Sequence, residues 1–182
     1  METIDLGLPS GTLWGICNLG ANHPTECGDY FAWGDTSPKT NYIGRTCDTY
    51  DLDIAKLKSE NYVNRGGVLS SDYDAASLIL GYDWNIPSGD QAQELIDNCI
   101  WAWVSSYDGV QVGGMLGTSK INGARIFLPA AGYRNNEQLI MIGRCGGYWT
   151  GSPNFVAANR SWSIAFEGNL INVFNHGLRY NG

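Results

Sequence analysis

The stretch RSWSIAFEGNLINVF, Arg160 to Phe174, constrains the fold more than any other. In SWSIAF, Trp162, Ile164 and Phe166 share one side at the two-residue strand period, while Ser161, Ser163 and Ala165 share the other. Glu167-Gly168-Asn169 supplies a turn, after which Ile171 and Val173 continue the apolar side and Asn172 and Phe174 take the opposite one. Apolar residues two apart would spiral around a helix, so the pattern requires an antiparallel hairpin with one face in a core. The other face departs from the usual rule that strands turn polar residues outward. With its flanking segments it shows Phe155, Ala157, Ala158, Arg160, Phe174, His176, Leu178 and Tyr180 among Asn, Ser and Gly. Aromatic and aliphatic side chains set among small polar residues have the makeup of a binding surface.

A helix has to pack on that hairpin, and WNIPSGDQAQELIDNC supplies one over 88–99. Ser88 and Gln91 form an S-x-x-Q capping box, in which each side chain satisfies a free backbone N–H of the other residue. Asp90 lies in the first turn, where the helix dipole favours it. Ala92, Leu95, Ile96 and Cys99 make one apolar stripe at helical spacing. DYDAASLILG predicts a shorter helix over 72–80, with Asp72 or Asp74 near its start and Gly81 as its stop. Upstream, IDLGLPSGTLW reads as strand, turn and short strand, and the polar, weakly periodic residues 40–70 read as a long loop. IWAWVSS, GVQVGGML, ARIFLPAAGYR and GGYWTGS read as further strands divided by glycine turns.

Bulk properties narrow the function. The 182 residues are enough for one domain, and a formal charge of -7 with no basic stripe argues against nucleic acid or an anionic membrane. No apolar run approaches the roughly 20 residues that span a bilayer. Met1-Glu2-Thr3-Ile4-Asp5 lacks the basic and apolar regions of a signal peptide. No two of Cys17, Cys27, Cys47, Cys99 and Cys145 form a CxxC pair, and with only His23 and His176 a zinc site is not expected. Buried thiols and a Cys27–Cys47 disulfide are the two readings of the cysteines. Asp51/Asp53 and Asp72/Asp74 lack the Gly and Glu of an EF-hand loop and read as solvated acids or helix caps, so neither a metal nor a cofactor is expected. Neither histidine sits in a nucleophile motif, which argues against an enzyme. The tryptophans Trp14, Trp33, Trp84, Trp101, Trp103 and Trp149 read as core, or as platforms for sugars.

In order, IDLGLPSGTLW, GDYFAWGDTSPK, WNIPS, ELIDNC, IFLPAAGYR, GGYWTGS and RYNG resemble the C-type lectin-like domains of gut Bacteroidales and their phages, akin to the Fibrobacter major paralogous domains. The resemblance covers nearly the whole chain. It implies an α+β C-type lectin-like fold over 1–182, with two helices, antiparallel sheet and adjacent terminal segments. Some members of that family are variable proteins of diversity-generating retroelements, in which an error-prone reverse transcriptase alters adenines in a template that then replaces the 3′ end of the gene. The corresponding variable region here is 148–182.

Altering both adenines of an AAY asparagine codon never yields Trp, Glu, Lys, Met or Gln. Trp162 and Glu167 therefore stand outside such a process. The resemblance implies ligand contacts from Phe155, Ala157, Ala158, Arg160, Ser163, Ala165, Leu170, Phe174, His176, Leu178, Tyr180 and Asn181, all within reach of it. Asn159, Asn169, Asn172, Asn175 and Asn181 match unaltered template. The implied function is recognition of a protein or glycan on a cell or phage surface. The alternatives are a non-variable carbohydrate-binding domain, a structural phage or surface component, and an enzyme akin to formylglycine-generating proteins. The last needs a reactive cysteine pair, and only Cys145 lies near the site.

Overall fold

The computed structural model describes residues 1–182, the side chain of His176 excepted. It is an α+β molecule of short helices and small antiparallel sheets. Strand β1 (Thr3–Asp5) pairs with β2 (Leu13–Gly15), placing Ile4 opposite Trp14. Three helices follow: α1 (Ile54–Ser59), α2 (Ala75–Leu80) and α3 (Gly89–Asn98). Strands β3 (Cys99–Val104), β4 (Gly114–Ser119) and β5 (Arg125–Pro129) form a meander. A small hairpin, β6 (Tyr133–Asn135) and β7 (Gln138–Ile140), leads into the closing sheet. That sheet is β8 (Cys145–Pro153), β9 (Arg160–Glu167) and β10 (Leu170–Leu178), with β9 in the middle.

The reciprocal cap expected for α3 is present: Gln91 N donates to Ser88 Oγ (3.1 Å) and Ser88 N to Gln91 Oε1 (2.9 Å). The helix then packs its stripe on β3 and on the closing sheet. Ala92, Leu95 and Cys99 are buried with Leu6, Met115, Ile126, Ile164 and Phe166 in the main core. The hairpin's apolar face points there, as its period demands.

Acids that read as caps act as caps. Asp74 Oδ1 accepts from Ser77 N (3.0 Å) at the start of α2, and its Oδ2 accepts from Ile86 N (2.8 Å). Asp53 Oδ1 accepts from Lys56 N (2.9 Å) at the start of α1.

Several expectations need correction. Residues 40–70 are not one long loop, because Asp53 nucleates α1 and Leu57 anchors it in a second core with Trp33, Val63 and Leu69. Six residues show too little apolar period to be seen in sequence. The strand expected from GVQVGGML begins later, at Gly114, since Tyr107 and Val110 bridge each other in a tight turn. The terminal segments approach one cleft, whose lining includes Met1 and Gly182, but are not strand partners: β1 pairs with β2, while Arg179 O accepts from Trp33 N and Gly182 exchanges backbone bonds with Arg134. The cysteines are all free; Cys47 is buried beside Tyr42, and Cys99 is in the main core. No helix of the described residues is long and apolar enough to cross a membrane.

Arg179 is the unexpected core residue, with no exposed surface. Its Nη1 donates to Thr49 O and Leu52 O (both 2.8 Å), and its Nε to Arg160 O and Ser161 Oγ (both 3.0 Å). The guanidinium carbon lies 4.8 Å from the centre of the Trp33 ring. Burial lowers its pKa to about 10, partly offset by the negative charge of nearby groups including Asp51, so it stays cationic at neutral pH with no ion pair among the described residues. Carbonyl oxygens and a π face make its direct contacts, and they tie the end of β10 to the 49–52 loop.

Candidate functional site: a groove on the closing sheet

Strand register decides which side chains share the sheet's outer face. Ser163 lies between Trp149 and Phe174, Ala165 between Gly147 and Asn172, and Glu167 between Cys145 and Leu170. Directly opposite residues turn to the same side of a sheet. The face therefore carries a rung of small residues flanked by rungs of larger ones, which makes it concave. The resulting groove has a volume of about 710 Å3. Tyr133, Met141, Leu178, Asn181 and Gly182 close it from the β6–β7 hairpin and the end of the chain.

Trp149 fixes the shape of one wall. Its Nε1 donates to Phe31 O (3.0 Å) and Asn181 O (3.3 Å). Its ring lies over Gly177, where a Cβ would come within 2.5 Å of a ring carbon. That close approach sits at a bulge: from Ser163 to Ser161 on β9, the partner strand advances from Phe174 to Gly177, one residue more. At the small rung the opposite holds. A Cβ on Gly147 would meet nothing within 4 Å, because the groove is open there.

The structure brings together Arg160, Ser163, Ala165, Leu170, Phe174, Leu178 and Asn181 from the expected contact set. It leaves others elsewhere. Phe155 is exposed, but its ring lies over Gly67, away from the groove. Ala157 and Ala158 are half-buried in the β8–β9 loop, where Asn154 Oδ1 accepts from Val156 N (2.8 Å) and Ala157 N (2.9 Å). Tyr180 is turned inward and packs edge-on to Tyr50, ring centres 5.2 Å apart. Its neighbour Arg179 pulls this part of the chain into the core. His176 lies outside the described residues.

Ser161 and Ser163, expected on an open face, are buried. Arg179 covers the first, and the Trp149 and Phe174 rungs flank the second. Sequence reasoning missed Tyr133, Met141, Gly147 and Glu167, placed Cys145 near the site without a role in it, and left Trp149 between core and sugar platform. Strand parity within GGYWTGS separates Tyr148 from Trp149, but only the cross-strand register shows which of them meets Ser163.

Burial, reinforced by Glu167, pushes the Cys145 thiol above its ordinary pKa, the opposite of an activated nucleophile. No three His, Cys, Asp or Glu of the described residues cluster closely enough to hold a metal ion. His23 is a surface residue whose ring contacts Thr25 and Asp108. Comparison of the chain with family models, with curated proteins and with solved structures finds no match.

Proposed function

We propose that the chain is a ligand-binding protein of C-type lectin-like fold, whose outer groove is diversified by a retroelement to recognise a protein or glycan. One observation carries the reading. The groove-lining side chains from β9 and β10 that an altered AAY codon can reach include Ser163, Ala165, Leu170, Phe174 and Leu178, and they converge on one concavity. The inner residues of the same strands, Ile164, Phe166 and Val173, are buried against α3 and the main core.

A rigid sheet with its inner face locked holds outward side chains in fixed positions, so affinity can come from a few aromatic anchors with little ordering cost. Phe174 and Trp149 have the size for that role, and only Phe174 is within reach of the codon change. Glu167 also lines the groove although no such codon yields it; it belongs to the fixed scaffold beside the turn.

The deciding experiment is to sequence the DNA around the gene. Expected is a near-copy of codons 148–182, differing only at adenines and lying beside a reverse transcriptase gene. A neighbourhood with neither removes the diversification reading.

A further inference from the structure

A second concavity lies behind β8. It opens between the β1–β2 hairpin, the chain around Asp29–Phe31 and the segment after α2, with a volume of about 290 Å3. Aromatic side chains dominate its walls: Trp14, Tyr30, Phe31, Trp84, Tyr148 and Trp149. Their polar atoms are mostly committed. Tyr30 Oη donates to Ala131 O (2.7 Å), Tyr148 Oη to Pro129 O (2.5 Å) and Trp149 Nε1 to Phe31 O (3.0 Å). Trp14 Nε1 has no partner but is buried away from solvent. The cleft thus offers rings rather than hydrogen-bond donors.

Among the described residues its side-chain charge is acidic, and the one cation at its edge is the α-amino group of Met1. Asp29 and Asp83 stand exposed in the lining, while no Lys, Arg or His side chain is among the described residues that line it. Neither carboxylate forms an ion pair among the described residues. A formal charge of -7 over the chain adds to the local field.

We propose that this cleft binds a small organic cation: an ammonium group carried on an apolar body. Aromatic faces carry the negative end of the ring quadrupole and attract a cation that is easily stripped of water. The exposed carboxylates of Asp29 and Asp83, neither in an ion pair among the described residues, attract the same charge and repel an anion. The volume sits at the small end of ligand pockets, about 300 Å3, and fits one ring or short chain rather than a peptide. The apolar body packs among Trp14, Trp84 and Tyr148, and the ammonium group lies toward Asp29 and Asp83.

Isothermal titration of the full chain with benzyltrimethylammonium, benzyl alcohol and benzenesulfonate tests this. The cation is expected to saturate one site about tenfold or more tightly than the alcohol, weakening as salt is raised, and the sulfonate to show no binding. The exposed pair Asp29→Asn and Asp83→Asn together should weaken the cation about tenfold. Leu170→Ser, in the groove on the other face, should leave it unchanged and so separates this site from that one. Equal affinity for alcohol and cation, no saturable binding by any probe, or a carboxylate double variant that binds as well as the parent overturns the proposal. Trp84→Leu should remove binding; if that variant fails to fold, the carboxylate pair still decides.

Discussion

The two faces of the closing sheet are made by the same strands and obey different rules. On the inner face, Ile164 sits between Tyr148 and Val173, and Phe166 between Gly146 and Ile171. Ile164 and Phe166 keep 2% and 3% of their surface exposed. On the outer face, one residue away along each strand, Leu170 keeps 80% and Phe174 37%. An inner side chain is specified by volume, because every neighbour is already in contact. An outer side chain is specified by little beyond its own rung. The outer face is also graded. Leu170 and Asn172 stand free of the wall, whereas Ser163 and Gly177 are held by Trp149 and its surroundings.

Breaking the inner face should have the largest effect. Ile164→Ser leaves a cavity and buries an unmatched hydroxyl, and a denaturant melt should show a loss of about 3 kcal/mol or more. If it does not, the assignment of faces is inverted. Alkaline unfolding probes the same rung at Tyr148. Burial of its hydroxyl raises its pKa, so above about pH 10 the unfolded chain loses the proton while the folded chain keeps it. The stabilisation is therefore complete below that pH and is lost as pH rises toward the folded value, by up to about 1.4 kcal/mol per pH unit. Tyr148→Phe should flatten this dependence in melts from pH 9 to 12. Tyr30, also raised by burial, should keep its share.

Smaller effects sharpen the contrast. Ser88→Ala removes one half of the cap on α3, the helix against the inner face, and should cost about 1 kcal/mol. An unchanged melting temperature would show that the cap contributes nothing. On the outer face, Leu170→Ser and Phe174→Ser should each stay within about 0.5 kcal/mol. Gly147→Leu should be equally mild, since the added side chain enters open groove. All three should nonetheless abolish or strongly weaken binding of a partner isolated by screening. Binding that survives Gly147→Leu would place the contact surface outside the groove.

Much of this was legible in the sequence where physics is local. The Ser88–Gln91 box, the stripe on α3 and the alternation of SWSIAF appear where their periods place them, because caps and periods act within a few residues. The site was legible only in part. Ser163, Ala165, Leu170 and Phe174 follow from parity and line the groove, whereas Tyr180 and Phe155 have the same composition and lie elsewhere. Side-chain type does not record which way a loop or chain end turns.

The amino-acid order alone determined an α+β chain with a capped helix and a hairpin of one apolar face, since each is set by contacts between near neighbours. Tertiary structure decided the rest. It alone placed Trp149 beside Ser163 and Gly177, drew Arg179 into the core beneath Trp33, and turned Tyr180 toward Tyr50. Those placements depend on register and closure between strands separated by loops and bulges, where one residue more or less moves every later side chain to the other face.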